Sequence, residues 1–367
     1  MSTIDGTFHL RRRVLAGALA LSAVLVSACG DDEQSSDATK ASAGSQLDGA
    51  LEGTVRLGFF PNVTHAPALV GVAEGTFTSA LGDGVDLQTF TFDSGTTASE
   101  ALLAGSLDLT FIGPNPAINA FAQSGGEAVR IVAGSTSGGA YLVVKPEITS
   151  VEQLAGTKLA TPSLGNTQDV ALRAWLKDNG LETDVDGGGE VSIIPQKNAT
   201  TLESFISGDI DGAWVPEPWA TRLVEEGGGT VLVDERELWA DTGGEYVTTH
   251  LIVRTEFLND HPDLVKAVIE GLADAIDFIA ADPEKAQADV IAQILEITGS
   301  EPKADTIAAS FANLTFTLDP IAASLAKSAA DATSVGLLGE IDLAGIHDLT
   351  LLNEVLVARG VAEVKGL

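Results

Sequence analysis

The feature that most constrains the fold is a unit that recurs along the sequence, in which a short apolar run ends in a polar turn and a helical pattern follows. The first copy spans residues 54–69, where Val55 and Leu57 predict a strand and Pro61 and Asn62 break it. In an open α/β sheet, such turns lie at the carboxyl ends of strands, where ligands bind and helix N-termini offer free N–H groups to anions. A recurring unit of this kind predicts a binding site built from several turns.

Two series of these units follow one another along the chain, and the second restarts after Lys145. The alternation of strands with helices favours right-handed βαβ crossovers and mostly parallel sheets covered on both faces. After the last predicted strand, the pattern indicates only helices. The strands are predicted at 55–60, 85–92, 107–113, 129–134, 141–144, 158–161, 191–195, 213–215, 231–233 and 247–254.

This order predicts an α/β fold of two doubly wound lobes joined by a hinge. A chain that builds one lobe, then a second, and returns to the first with strand 247–254 crosses between the lobes at least twice. We expect a first lobe at 53–145 plus 247–367, which includes a helical C-terminal part, and a second lobe at 146–246. With 367 residues, the chain is long enough for about two domains.

The N-terminal residues resemble a bacterial export signal. Arginines at 11–13 precede an apolar run at 14–26, which is too short to span a bilayer as a stable helix and suits a signal peptide at 1–28. Cys29, the only cysteine, follows small residues in a pattern similar to the lipobox, whose cysteine is diacylated. We expect a lipid anchor at Cys29 that holds the protein at a membrane, and a disordered tether at 29–52. General and twin-arginine export both stay open.

Charge and motifs narrow the function classes. The formal net charge of -32 argues against nucleic acid as a partner, because phosphate contacts need clustered Lys and Arg. The sequence has no P-loop, H-E-x-x-H, C-x-x-C or G-x-S-x-G, and residues 134–138 place Thr136 where a nucleophilic serine would stand. The histidines are scattered singly, which disfavours a metal site. The sequence therefore carries none of these enzyme signatures, and we expect neither a cofactor nor a metal.

Small polar residues cluster in the turns that follow the predicted strands. Each turn taken alone fits an ordinary helix cap. Several of them, spread over two lobes, would bring hydroxyls and free N–H groups together around a small oxyanion. These turns lie at 60–65, 93–97, 113–116, 135–139 and 161–169.

Three further residues are candidates for ligand contacts, each with a structural alternative. Trp214 stands next to a proline-bounded segment and either walls an apolar pocket or packs in a core. Glu217 would meet a cation or an N–H group of a ligand. His250 lies in the strand that returns to the first lobe and either binds a ligand or serves as a structural histidine.

Several stretches together resemble the substrate-binding lipoproteins of the nitrate, taurine and aliphatic sulfonate ABC importers. They include GFFPNVTHAPAL, EALLAGSLDLTFIGPNPAINAF, ATPSLGNTQDVALRAWL, GDIDGAWVPEPWATRLV and TTHLIVRTEFL, and the resemblance covers roughly residues 53–300. It implies the type II periplasmic-binding-protein fold, in which two α/β lobes close on a ligand like a hinge. It also implies binding without catalysis, and delivery of the ligand to a membrane permease driven by a cytoplasmic ATPase.

The resemblance also implies a ligand and the residues that hold it. We expect an extracytoplasmic monomer that binds a small oxyanion, foremost a sulfonate or taurine, with nitrate as another candidate. A bicarbonate ion, a zwitterionic or aromatic ligand such as a thiamine-precursor pyrimidine, and a role as an exported hydrolase stay open as alternatives. Asn115 stands where similar sequences have Ser or Thr, which puts the ligand's identity in doubt. Together with His250, the assigned residues are Phe60, Asn62, His65, Gly95, Thr96, Thr97, Pro114, Asn115, Ser135, Thr136, Asn166, Thr167, Gln168, Trp214 and Glu217.

Overall fold

The strands of the protein form two sheets in a computed structural model that describes residues 50–367. The predicted signal peptide, Cys29 and most of the tether lie outside the described residues, so these expectations stay predictions. The strands are β1 (Gly53–Phe59), β2 (Val85–Thr91), β3 (Leu109–Ile112), β4 (Val129–Gly138), β5 (Ala140–Val144), β6 (Lys158–Thr161), β7 (Ser192–Pro195), β8 (Gly212–Pro216), β9 (Thr230–Asp234), β10 (Val247–Arg254) and β11 (Leu314–Phe316).

Helices connect the strands and fill the C-terminal part. Within residues 50–367, no helix is both long and apolar enough to cross a membrane. Short 3-10 turns add to the helices, among them Val63–His65 directly after β1. The helices are α1 (Ala66–Ala73), α2 (Thr76–Leu81), α3 (Gly95–Leu103), α4 (Pro114–Gln123), α5 (Thr167–Asp178), α6 (Asn198–Ser207), α7 (Trp219–Glu225), α8 (Thr255–Asp260), α9 (Pro262–Ala281), α10 (Pro283–Thr298), α11 (Ala304–Ala312), α12 (Ala322–Ser334) and α13 (Thr350–Ala358).

The two sheets are mixed rather than mostly parallel. The six-stranded sheet has the order β11-β4-β10-β3-β1-β2, and the five-stranded sheet has the order β7-β6-β8-β5-β9. β1 pairs in parallel with β2 and β3, and β6 pairs in parallel with β7 and β8. β10 and β5 run antiparallel to their neighbours, because each enters its sheet from the edge at which the parallel strands end. We call the six-stranded sheet with its helices the first lobe, and the five-stranded sheet with α5, α6 and α7 the second lobe.

Each sheet carries an apolar core on both faces. Successive strand residues point to opposite faces, so Tyr141 and Val143 of β5 pack with α6 and α7, whereas Leu142 and Val144 pack with α5. In the first lobe, one core includes residues of β1, α1 and α9, and another includes residues of α3, α4 and α12. The packing on both faces places the loops at the strand ends between the two lobes.

The chain crosses from the first sheet to the second at Gly138 and Gly139. Both have positive φ, +81° and +75°, which glycine adopts at low cost. A Cβ atom at Gly139 would also lie 2.2 Å from Leu314 Cδ2. Because the crossover comes this early, β5, which the sequence pattern assigned to the first lobe, pairs with β8 and β9 of the second. The wider lobe limits stay a prediction.

The C-terminal part is less helical than the pattern predicts. β11 pairs antiparallel with β4, although only helices were expected after β10. The last helix begins only at Thr350, after a stretch without helix at 335–349. Three residues are too few for apolar alternation to reveal a strand, so β11 has no periodic signal of its own.

Candidate functional site

The turns at the carboxyl ends of the parallel strands converge between the two lobes. β1, β2 and β3 end at one edge of the first sheet, and β6, β7 and β8 end at one edge of the second. Together they enclose a cavity of about 60 Å³, which we call the chamber. Its lining residues are Phe60, Asn62, Thr64, His65, Asp93, Ser94, Gly95, Gly113, Pro116, Pro162, Asn166, Thr167, Gln168, Asn198, Pro216 and Thr248.

The first wall of the chamber is the turn after β1. The Thr249 hydroxyl of β10 donates to the Thr64 carbonyl at 3.0 Å and holds this turn against the sheet. The Asn62 amide donates to the Thr64 hydroxyl at 3.1 Å, while Asn62 Oδ1 is buried with no partner. Phe60 stacks on His65 with ring centroids 4.4 Å apart. The turn therefore presents an aromatic face and unpaired polar atoms to the chamber.

His65 contributes to the chamber as a neutral group. It is almost fully buried, and burial lowers its pKa to about 3 because the charged imidazolium would lose its hydration. Its Nδ1 atom has no hydrogen-bond partner. A neutral imidazole has one donor and one acceptor nitrogen, so His65 can bind either a donor or an acceptor on a ligand.

Three helices begin at the chamber. Gly95 is the first residue of α3, Gly113 directly precedes α4, and Thr167 is the first residue of α5. Helix N-termini carry unpaired N–H groups and a partial positive charge, so they favour anions. This arrangement supplies positive electrostatic potential to a cavity that is lined by no Lys or Arg side chain from residues 50–367.

The second wall is the turn after β6, and its own side chains hold it in place. Asp169 accepts hydrogen bonds from the Thr161 hydroxyl at 2.8 Å and the Gly165 N–H at 2.9 Å, and pairs with buried Arg173 at 3.0 Å. Asn166 Oδ1 caps α5 by accepting from the Asp169 N–H at 2.9 Å. This network fixes the backbone that carries Thr167 and Gln168 at the chamber.

A wider cavity of about 610 Å³ adjoins the chamber, and we call it the vestibule. The two cavities share Phe60, Asn62, Asp93 and Asn198, and Trp219 lines the vestibule only. At their border, Asp93 of the first lobe forms an exposed salt bridge with Lys197 of the second. The vestibule therefore offers room for a ligand's second group beside the chamber.

Seven of the sixteen predicted ligand residues line the chamber, as the list of its lining residues shows. Thr97 lies next to it, where it borders a shallow groove with Ser94 and Lys197. These positions agree with the predicted site, but their contact with a ligand stays a prediction. The seven residues are Phe60, Asn62, His65, Gly95, Asn166, Thr167 and Gln168.

Trp214 and Glu217 point away from the chamber and the vestibule. Trp214 is fully buried in the core of the second lobe, where its Nε1 donates to Glu235 at 2.7 Å. The Glu217 carboxylate is 1% exposed and accepts from Asn313 at 2.7 Å and from the Thr221 hydroxyl at 2.9 Å. Burial raises the pKa of Glu217, and these donors oppose that rise. Both side chains are already bonded within the protein and line neither cavity, and their role as ligand contacts stays a prediction.

The first-lobe candidates Asn115 and His250 are also used within the fold. The Asn115 amide donates to the Ser328 carbonyl of α12 at 3.0 Å, and Pro114 beside it is buried. His250 lies 3.2 Å from the Pro320 carbonyl through Nε2, and burial lowers its pKa to about 3. Neither side chain lines the chamber or the vestibule. The buried position and the contact with Pro320 agree with the structural alternative for His250, and its contact with a ligand stays a prediction.

The remaining three candidates lie outside both cavities. Ser135 and Thr136 are fully buried in β4 between β10 and β11, and their hydroxyls have no partner. β4 continues to Gly138, so these residues belong to a strand rather than to the turn that the sequence predicts. Thr96 is exposed on the first turn of α3.

The assigned residues leave out five polar residues that line the chamber, Thr64, Asp93, Ser94, Asn198 and Thr248. Thr64 and Asp93 lie inside predicted turns but were not selected there. Asn198 follows β7 through the polar turn 196–198, which is the same strand-turn-helix signal and could have been found. Thr248 lies within β10, and no local pattern distinguishes it. Among residues 50–367, no group of His, Cys, Asp and Glu could hold a metal ion.

Comparisons with known proteins place this architecture in a family. The model of the NMT1-like family matches residues 48–296. The taurine-binding periplasmic protein of Escherichia coli (strain K12) is 31% identical over 221 residues, which is 59% of this chain and 64% of that protein. A bicarbonate-binding protein of Synechococcus sp. is 26% identical over 248 residues, 60% of this chain and 53% of that protein. The chain thus spans less than two thirds of the length of these two relatives.

Solved structures share the fold. The periplasmic nitrate-binding protein NrtA from Synechocystis PCC 6803 has a TM-score of 0.70 at 18% identity, with 84% of this chain and 89% of that chain covered. The alkanesulfonate-binding protein SsuA from Xanthomonas axonopodis pv. citri has a TM-score of 0.65 at 19% identity, covering 80% and 96%. These likenesses confirm the predicted two-lobed α/β fold of periplasmic binding proteins. Since the family model matches most of the sequence, the chain belongs to the NMT1-like family.

Proposed function

We propose that the protein is the extracytoplasmic solute-binding component of an ABC importer. The observation that carries this proposal is the chamber, in which turns from two lobes surround a small space with polar side chains and helix N-termini. Relatives named as taurine-binding and bicarbonate-binding proteins support it. In this role the protein binds its ligand without chemical change, and hands it to a membrane permease that a cytoplasmic ATPase drives.

The ligand is a small oxyanion, foremost an aliphatic sulfonate or taurine, with nitrate as a further candidate. The net charge of -32 does not oppose this, because charges beyond a Debye length of about 8 Å are largely screened at physiological ionic strength. Hydrogen bonds from Asn62, Ser94 or Gln168 act at contact distance instead. A polar head group would occupy the chamber, and an organic tail would extend into the vestibule beside Trp219.

A ligand with a positive group is the second candidate. Asp93 is the charged residue among those that line the chamber, so a bare anion would be buried beside a carboxylate. A zwitterion or a protonated aromatic amine could displace Lys197 and pair with Asp93. Phe60 and His65 offer a stacked aromatic face for a ring such as that of a thiamine-precursor pyrimidine. In this proposal Asp93 replaces Glu217 as the counter-ion, because the Glu217 carboxylate is already bonded.

Isothermal titration separates these ligands. The panel is taurine, ethanesulfonate, nitrate, bicarbonate and an aminomethylpyrimidine, titrated into wild type, Asp93→Asn and the vestibule control Glu203→Gln. For a simple oxyanion we expect ethanesulfonate to bind at least as well as taurine, and Asp93→Asn to strengthen both. For a zwitterion we expect Asp93→Asn to weaken taurine alone, with Glu203→Gln unchanged. Binding of none of the five ligands would end the proposal of an oxyanion receptor.

Turnover, anchoring and assembly need their own measurements. Mass spectrometry of the bound ligand after long incubation should recover it unchanged, and a new product would revive the alternative of an exported hydrolase.

Metabolic labelling with a fatty acid should mark the wild type and not Cys29→Ala. Size-exclusion chromatography with light scattering should give a monomer.

A further inference from the structure

A second polar contact joins the two lobes beside the vestibule, between α7 and α11, and we call it the seam. On α11, its polar residues follow one another at intervals of three and four positions, so they share one face of the helix. The three carboxylates opposite them belong to α7 and its flanking residues. The seam consists of Glu217, Glu225 and Glu226 in the second lobe and Lys303, Thr306, Ser310 and Asn313 in the first.

The inner end of the seam is the buried carboxylate of Glu217. It accepts from the Thr221 N–H at 3.1 Å and the Thr221 hydroxyl at 2.9 Å, both in its own lobe. From the first lobe, Asn313 Nδ2 donates to it at 2.7 Å. The Ser310 hydroxyl lies 3.2 Å away and shares its proton with the Thr306 carbonyl at 2.7 Å. Thr221 thus gives each Glu217 oxygen one donor from its own lobe, and the first lobe adds a second donor to each.

The seam becomes more exposed away from Glu217. The Thr306 hydroxyl donates to Glu225 at 2.6 Å, and Lys303 lies 3.7 Å from Glu226 at the border of the vestibule. Lys303 has 66% of its side chain exposed, whereas Glu217 is 1% exposed. Water can replace the outer bonds readily, and the inner one is the costly bond to lose.

The opposite face of α11 belongs to the first lobe. Ile307 and Phe311 are buried in the same core as β1 and α1. α11 also contacts the 3-10 turn Val63–His65, which forms the first wall of the chamber. Helix α11 thus contacts both the seam and the first wall of the chamber. We therefore expect a change in the bonds of the seam to change the spacing of the chamber walls.

We propose that Glu217 is a positioning residue for ligand capture, which holds the two lobes together around the chamber by joining the second lobe to α11. This inference rests on the proposed function. A hydrophobic contact of the same size would resist separation of the lobes. Polar groups can instead exchange their hydrogen bonds for bonds to water, so that the lobes can separate again. While the seam is formed, a ligand that touches both walls leaves slowly.

The test is the dissociation rate of taurine from the full chain, followed by stopped-flow tryptophan fluorescence, to which Trp219 of the vestibule contributes, with ethanesulfonate as a second probe. Asn313→Ala removes the shorter of the two first-lobe hydrogen bonds to Glu217 and changes no residue of the chamber or the vestibule. Loss of a hydrogen bond to a charged group predicts dissociation faster by about tenfold. The preference between taurine and ethanesulfonate should stay the same, and Asn313→Gln, which keeps an amide donor, should recover part of the loss.

The matched control is Asn179→Ala. Asn179 also follows a helix, but its amide donates to the Trp175 carbonyl of that same helix at 2.8 Å, so its loss should leave dissociation unchanged. Equal dissociation rates for Asn313→Ala and wild type would overturn the proposal. A changed preference between the two probes would also overturn it, because it would show that Asn313 acts on the ligand directly.

Failure of the proposed function gives a different result. If neither probe binds the wild type, the sulfonate assignment fails, and the seam is tested by hydrogen exchange on the unliganded protein. Asn313→Ala should then accelerate exchange in α7 and α11 together, since both helices lose the same bond. Unchanged exchange in α7 would overturn the role of Glu217 as a link between the lobes.

Discussion

The chamber and the seam are both polar contacts between the same two lobes, yet they are built in opposite ways. In the chamber, Asn62 Oδ1 and His65 Nδ1 are buried without partners. In the seam, the Glu217 carboxylate is buried and meets donors from both lobes. An unpaired buried polar atom is costly, so it is retained where a ligand or water completes it, whereas a satisfied one stabilises the fold.

This difference separates residues that look alike in the sequence. Asn62 and Glu217 both follow a strand and precede a helix, and both were expected to touch a ligand. The same distinction places Asp169 with Glu217. Both oxygens of the Asp169 carboxylate have hydrogen-bond partners, and the residue holds the turn after β6 in place. Being unpaired is not sufficient by itself, since the hydroxyls of Ser135 and Thr136 lack partners without lining either cavity.

The largest effect is expected where a satisfied group is removed. Asp169→Ala would leave Arg173 buried without its partner, at a cost of about 3–5 kcal/mol in the free energy of unfolding. Urea denaturation measures this cost. Asp93→Ala, which removes an exposed carboxylate, should stay within about 0.5 kcal/mol of wild type. A small loss in the free energy of unfolding for Asp169→Ala would show that polar groups with hydrogen-bond partners near the chamber do not stabilise the fold.

A pH dependence of stability is the next largest effect. His65 and His250 have pKa values of about 3 in the folded protein, against about 6.5 when unfolded, so the unfolded state binds more protons between these values. Stability is full above pH 6.5 and falls as the pH drops toward 3. For one histidine, the loss between pH 6.5 and pH 5 is about 2 kcal/mol.

Urea unfolding of His250→Gln at pH 7, 6 and 5 isolates this contribution. The variant should lose less stability on acidification than wild type, because glutamine takes up no proton. The control His261→Gln changes an exposed imidazole and should follow the wild type. Parallel curves for wild type and His250→Gln would contradict burial of a neutral imidazole at this strand.

Two asparagines provide the sharpest contrast between the regions. Asn62→Ala should lower the affinity for the oxyanion about ten- to a hundredfold, since a hydrogen bond to a charged group contributes about 1.5–3 kcal/mol. Its stability should fall by only about 0.5–1.5 kcal/mol, because the variant loses one neutral hydrogen bond to the Thr64 hydroxyl while Asn62 Oδ1 has no partner to lose. Asn115→Ala should leave the affinity intact and cost about 1–3 kcal/mol of stability, since the Ser328 carbonyl would lose its donor. Titration calorimetry measures the affinity and thermal melting measures the stability. A loss of affinity for Asn115→Ala together with a larger loss of stability for Asn62→Ala would contradict the prediction.

The smallest effect is expected at the exposed salt bridge over the chamber. Asp93 and Lys197 lie mostly in water, so Lys197→Met should lower stability by less than about 1 kcal/mol. Salt screens exposed pairs, and the difference from wild type should vanish in about 1 M NaCl, where the Debye length is about 3 Å. Thermal melting at low and high salt checks this. A larger loss of stability that persists at high salt would show that the Asp93–Lys197 pair contributes to the stability of the fold.

Local pattern was sufficient for most of the elements and for half of the chamber. The strand at β1, the turn at Pro61 and the start of α5 at Asn166 each carry a signal within a few residues, and the structure has all three. Turns at the ends of parallel strands also meet at one edge of a sheet, which is why Phe60, Asn62 and Thr167 come together as expected. The order of strands and helices likewise predicted two lobes.

Contacts distant in sequence decided the rest. The partners of Glu217 include Asn313, and Asn115 donates to Ser328, so no local window contains the bond that takes each side chain out of the chamber. The crossover at Gly139 depends on Leu314. Sequence by itself determined the α/β architecture and the turns that can meet a ligand, because strand periodicity and helix capping are local. Only the tertiary structure decided which polar groups in those turns are left unpaired, because a satisfied group and a free one differ in partners that the chain supplies from far away.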